Sequence, residues 1–146
     1  MHRVELTPGP IDVGALTAHL HTPTAGGVCT FLGVTRADDD IVALHYEAHA
    51  AMAERQLHAL ADTAAKRWPI RRLALVHRLG NVPAGQASVF VGVATPHRGE
   101  AFDACRWLID TLKADLPVWK RDLHADGQTT WTPPNREWQR TLPTDS

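Results

Sequence analysis

The spacing of apolar residues changes period several times along the chain, and each change marks a predicted element. Residues 3–6 alternate polar with apolar, a short strand, and Pro8-Gly9-Pro10 then breaks the chain. Residues 11–16 read as a short helix capped by Asp12 or a neighbour. Past the break at 23–27, the β-branched and aromatic run Val28-Cys29-Thr30-Phe31-Leu32 stops at Gly33, which predicts a buried strand delivering a loop over 33–40. Ile41, Ala43, His45 and Glu47 alternate with Val42, Leu44 and Tyr46, a period of two that suits a strand with one buried face. Between 52 and 68 the period turns helical, with Ala53, Leu57, Leu60, Ala61, Ala64 and Trp68 on one stripe and Pro69 as the stop.

Two further strands are predicted at 72–77 and 88–94, joined by the turn-rich Gly80-Asn81-Val82-Pro83-Ala84-Gly85. A last helix is expected over 100–115, where Ala101, Phe102, Cys105, Leu108, Ile109 and Leu112 form one stripe ahead of Pro117. Segments 118–123 and 129–131 then predict a closing hairpin around Asp126-Gly127. A proline-bearing polar tail over about 133–146 is expected to be flexible.

Strands thus occur singly and in adjacent pairs between helices, and pairs with short connections must be antiparallel. The predicted class is α+β: a mainly antiparallel sheet packed with about three helices. A doubly wound sheet would need regular β-α alternation and a glycine-rich first turn, and neither is present. At 146 residues and 44% hydrophobic content, one domain spanning 1–146 with its own core is expected.

Charge narrows the function classes. Fifteen Lys+Arg stand against 16 Asp+Glu, a net of −1, so the broad positive field of a nucleic-acid binder is missing and any cationic site has to be assembled by folding. No window approaches the ~18 apolar residues of a membrane span, and residues 1–6 carry charges where a signal peptide needs its apolar core. Cys29 and Cys105 lie far apart on apolar runs and form no C-x-x-C pair, which fits a reduced, cytoplasmic chain with core cysteines.

Three groups of residues could carry chemistry. Pro96-His97-Arg98-Gly99-Glu100 puts a histidine and an arginine where a strand gives way to a helix, whose free N–H groups and positive dipole end favour an anion; a solvated polar loop fits the same residues. Lys113 in the last helical turn and Lys120 after the Pro117 turn can be folded toward one place, where clustered amines could transfer protons or act as nucleophiles; ordinary surface lysines are the competing reading. Arg36 projects from the loop after the Gly33 strand end, either toward a site or into solvent. His45 and His49 lack the H-e-x-x-h spacing of a zinc helix, so no metal is expected.

Taken in order, Phe31-Leu32-Gly33-Val34-Thr35-Arg36, His45-Tyr46-Glu47-Ala48, Arg67-Trp68-Pro69, His77-Arg78-Leu79-Gly80, His97-Arg98 and Leu112-Lys113 through Pro117-Val118-Trp119-Lys120 resemble the large, catalytic subunit of molybdopterin synthase. The resemblance spans about 28–131. It implies a hammerhead-like α/β fold and a sulfurtransferase that needs no cofactor. It also implies a homodimer, flanked in a heterotetramer by a small ubiquitin-like subunit whose Gly-Gly tail ends in a thiocarboxylate. That tail would deliver sulfur to cyclic pyranopterin monophosphate to make molybdopterin. Lys113 and Lys120 match the family's functional lysines, and Val34, Thr35, Arg36, His97, Arg98, Arg121 and Asp122 would join them around the substrate. Val34-Thr35 reverses the family's usual order before its loop arginine, and Arg121-Asp122 carries a carboxylate one methylene shorter than the usual Glu. The competing reading is a noncatalytic α+β module that binds a phosphorylated small molecule or a protein tail.

Overall fold

The computed structural model describes residues 2–38 and 40–132, so the tail expected over 133–146 lies outside the described residues. In chain order the elements are β1 (His2–Thr7), α1 (Val13–Leu20), β2 (Gly27–Val34), β3 (Ile41–Ala48), α2 (Ala50–Arg67), β4 (Arg72–Arg78), β5 (Gly80–Pro83), β6 (Ala87–Thr95), α3 (Arg98–Asp115), β7 (Val118–His124) and β8 (Thr129–Thr132). The fold is α+β, as the periodicity predicted. The strands form two four-stranded sheets, β1-β4-β6-β2 and β5-β3-β7-β8.

The first sheet is buried on both faces, and alternation along its central strands explains how. Leu73 and Leu75 of β4 join Val89, Val91 and Val93 of β6 against α2 and α3, where Leu57, Leu60, Leu108 and Leu112 complete the larger core. Ala74, Val76, Phe90 and Ala94 point the other way and receive Leu16 and Leu20 of α1. Each fully buried leucine contributes about 1.5–3 kcal/mol by leaving water, which is why the helices stay docked.

Local signals set the helix ends. Asp12 caps α1 by accepting the Ala15 N–H at 3.0 Å, as expected. α2 and α3 each begin two residues earlier than the apolar stripes indicated, because Ala50-Ala51 and Arg98-Gly99 lie outside those stripes. His49 caps α2 by accepting the Met52 N–H at 3.3 Å, while His45 is held by Asn81 and Glu47, so this histidine pair is engaged in local bonding. Among the described residues no group of three or more His, Cys, Asp or Glu is placed to hold a metal, and no helix is long and apolar enough to cross a membrane.

The mainly antiparallel sheet structure is as expected and is divided between two sheets, while two local expectations are corrected. The segment 80–83 was read as part of a turn; it is β5, which leaves the first sheet after β4 and pairs with β3, with Gly80 supplying a positive φ of 83° at the crossover. The run at 28–32 was read as a buried strand. Instead β2 is an edge strand whose Val28, Phe31, Leu32 and Val34 are exposed, since composition reports β-propensity and says nothing of position in the sheet. In addition β1 pairs with β4 in parallel, a long-range pairing that local pattern cannot announce.

Candidate active site

Lys113 reaches the site from the last turn of α3, whose stripe of Ala101, Cys105, Leu108 and Leu112 fixes which way the helix faces. Leu116 closes that helix by donating its N–H to the Leu112 carbonyl, and Pro117 turns the chain into β7. There Lys120 lies opposite Tyr46 of β3 in antiparallel register, so the two side chains share one face of the second sheet. Lys113 and Lys120 line one cleft of about 700 Å³ together with Val34, Arg36, Asp38, Tyr46, Ser88 and Asp122. Phe31, Leu32, Ile41 and Leu44 form its apolar walls.

The cleft therefore holds three cations, Arg36, Lys113 and Lys120, against two carboxylates, Asp38 and Asp122, and its apolar walls strengthen the attraction for an anion. Arg36 is 82% exposed and bridges Asp38 at 2.9 Å, a surface pair that an incoming phosphate could replace with a forked contact. Beneath these groups Tyr46 is buried, and burial pushes its phenol above the ordinary tyrosine range, so it remains a neutral donor. Tyr46 meets Ser88, whose hydroxyl donates to the Gly33 carbonyl at 3.2 Å.

Of the residues picked from sequence, Val34, Arg36, Lys113, Lys120 and Asp122 line this cleft. Thr35 is buried beside it, and Arg121 turns away to stack on Trp131 at 4.8 Å. His97 and Arg98 are not brought to the lysines within one chain. They line a separate recess of about 530 Å³ at the start of α3, with Gly26, Pro96 and Gly99. The fifteen residues from Arg98 to Lys113 at ~1.5 Å per residue put roughly 22 Å between the two groups. A single pocket for all four therefore cannot form in one protomer. Gly27 keeps this recess tight: a Cβ there would lie 3.0 Å from the Arg98 backbone.

Sequence reasoning did not single out Tyr46, Ser88, Asp38 or the apolar walls as site residues. The signal for Ser88 was a hydroxyl heading an otherwise apolar strand; Asp38 and the walls were visible only as loop and strand residues.

His77 of β4 also lies under the cleft. It is 6% exposed, donates Nδ1–H to the Arg78 carbonyl at 2.8 Å and meets Tyr46 edge-on at 5.0 Å. Burial lowers its pKa from 6.5 to about 4, with Lys113 adding to the lowering and the Arg78 bond opposing it. The native imidazole is thus neutral where the unfolded one begins to take up a proton. His77 stabilises the fold fully above pH 6.5, and that contribution, of order 3 kcal/mol, is lost as the pH falls toward 4. Urea unfolding at pH 7 and pH 4.5 should show this loss, and His77→Asn should flatten it.

Both cysteines are free, and burial, reinforced by Cys29, pushes the Cys105 thiol up to about 12, which keeps that thiol unreactive.

Against known proteins, residues 6–115 match the family model described as MoaE protein. The chain belongs to the MoaE family. It is 43% identical over 140 residues to the molybdopterin synthase catalytic subunit of Oryza sativa subsp. indica, covering 94% of this chain and 72% of that one. It is also 41% identical over 131 residues to that subunit in Thermoplasma volcanium, covering 88% and 96%. The crystal structure of molybdopterin synthase from Staphylococcus aureus superposes with a TM-score of 0.82 at 28% identity, over 90% of this chain and 98% of that one. The MoaE family is thus that of a sulfur-transferring enzyme of molybdenum cofactor biosynthesis, as the ordered motifs implied.

Proposed function

We propose that the Lys113–Lys120 cleft transfers sulfur from the thiocarboxylated C-terminus of a small ubiquitin-like subunit to cyclic pyranopterin monophosphate, yielding molybdopterin. The observation that carries this reading is that both lysines and Arg36 line one cleft, although they come from three separate elements or loops. Substrate phosphate and thiocarboxylate are both anions, and bringing them together in a partly dry cleft requires compensating cations. Lys113 serves as the essential amine, moving a proton or engaging the acyl terminus, and Lys120 polarises substrate or stabilises developing charge. Val34 and Asp122 line the path of the substrate, while Thr35 and Arg121 support it from outside the cleft. Each transfer forms a carbon–sulfur bond on the pterin side chain as one of its oxygens departs, and breaks the carrier's acyl carbon–sulfur bond, with water supplying the oxygen of the carboxylate left behind, so two carriers are consumed per dithiolene. The free cysteines suit a reducing cytoplasm.

The working unit is a homodimer, flanked in a heterotetramer by two small subunits. β2 supports this: it is an edge strand with exposed Phe31, Leu32 and Val34, next to α3 with Phe102 62% exposed. The start of β2 adjoins His97 and Arg98, and its end adjoins the lysine cleft. Antiparallel apposition of two copies about a two-fold axis would therefore set His97 and Arg98 of one copy beside the cleft of the other. In that arrangement they hold substrate phosphate or pterin.

The test is reconstitution. The chain, mixed with a thiocarboxylated small subunit and cyclic pyranopterin monophosphate, should produce molybdopterin; absence of product with a competent partner would overturn the reading. A noncatalytic module would bind both and make none.

A further inference from the structure

Two lysines from different layers of the fold have to be held at a working distance, and one contact lies between the elements that carry them. Lys120 belongs to the second sheet, where its cross-strand neighbour is Tyr46. Lys113 belongs to α3, packed on the first sheet, and it acts electrostatically on His77 of that sheet's central strand β4. Tyr46 and His77 meet edge to face, centroids 5.0 Å apart and planes at 76°, both almost without solvent exposure. The neighbour of one lysine thus rests on the neighbour of the other.

The contact is anchored at both ends. His77 is fixed by its bond to the Arg78 carbonyl and by register with Leu6 of β1 and Val89 of β6. Tyr46 is fixed through Ser88 of β6, whose hydroxyl donates to Gly33 of β2, three residues before Arg36. Tyr46 of the second sheet thus meets a side chain of the first. One string of groups therefore ties β3 of the second sheet to β4, β6 and β2 of the first, under the floor of the cleft.

We propose that His77 and Tyr46 are positioning residues of the sulfur-transfer site, setting the spacing of Lys113 and Lys120 by locking the two sheets together beneath them. This rests on the sulfur-transfer reading given above. The charged groups that bear on the pair are Lys113 from α3 and, through Tyr46, Asp122 on β7, while Arg78 on β4 acts through its backbone carbonyl. An uncharged ring under Lys113 adds no repulsion to a cleft that must already hold several cations.

The experiment uses Tyr46→Phe, His77→Asn and the double variant of the full chain, each reconstituted with thiocarboxylated partner. Tyr46→Phe keeps the ring and removes only the hydroxyl that meets Ser88; His77→Asn keeps a donor for the Arg78 carbonyl and removes the ring contact. Each single variant is expected to lower kcat about tenfold with the KM for the partner unchanged, and the double variant to lose little more than either single one, because each interrupts the same string of contacts at a different point. In parallel, lysines carrying 13C-methyl groups are followed by NMR, with Lys113 and Lys120 assigned through Lys→Arg variants. Both signals should shift in both single variants.

Wild-type turnover with unmoved lysine signals, or a fall in melting temperature without a fall in kcat per folded molecule, overturns the proposal. Additive losses in the double variant overturn it as well. Should His77→Asn fail to fold, Tyr46→Phe alone decides by the same criteria. If Lys113→Ala leaves turnover intact, the sulfur-transfer reading fails, yet the NMR signals still decide whether the pair positions the lysines.

Discussion

Lys113→Ala is expected to lower molybdopterin formation by about a thousandfold or more, while affinity for the small subunit changes less than about twofold. The asymmetry follows from where the side chain sits. Lys113 is an exposed residue at the end of a helix whose opposite face carries the packing, so its loss removes an amine from the cleft without opening a cavity in the core. Single-turnover kinetics with preformed thiocarboxylate, beside equilibrium binding of the same partner, separate the two quantities. Parallel loss of binding and turnover would favour a binding module. Lys113→Arg should rescue little, because a guanidinium keeps the charge but cannot give up a proton near neutral pH.

The second large effect is a recovery. Lys113→Ala and Arg98→Ala homodimers are each expected to be nearly inactive, and mixing them under conditions that exchange subunits should restore about a quarter of native activity. Half of the dimers formed at equal mixing are hybrids, and each hybrid keeps one site with Lys113 from one copy and Arg98 from the other. The roughly 22 Å along α3 makes this outcome specific to a shared site. If each protomer carried its own complete site, every site in the mixture would still hold one lesion and activity would stay absent.

The sequence disclosed the secondary elements well where a single period runs long. The stripe in α3 and the alternation in β3 each name their face directly, and Asp12 marks its helix start by cap chemistry. It disclosed the lysine pair through Pro117, whose turn brings residues 113 and 120 to one cleft. What it withheld depends on pairing at a distance. Nothing local in Gly80-Asn81-Val82-Pro83 says that these residues will pair with β3, and nothing in Val28 to Val34 says that no further strand will cover them. The separation of His97-Arg98 from Lys113 was written in the helix length, but a motif read as a set of residue types ignores the length of the rod between them. Tyr46 and Ser88 belong to the same class, since the partner of each lies in another strand.

The strands of the two sheets are interleaved along the chain. The first takes β1, β2, β4 and β6, and the second takes β3, β5, β7 and β8. On a growing polypeptide the first sheet has all its strands by Thr95, while the second waits for β7 and β8. β1 must remain unpaired until β4 has emerged, and β3 gains its partner on one side only when β7 follows α3. A ribosome-bound fragment that stops before Val118 lacks both Lys120 and the strand that seats Tyr46's neighbour. Such contacts, distant in sequence, slow folding and make it cooperative. Competence for sulfur transfer thus arrives late, with β7 and the last fifth of the chain.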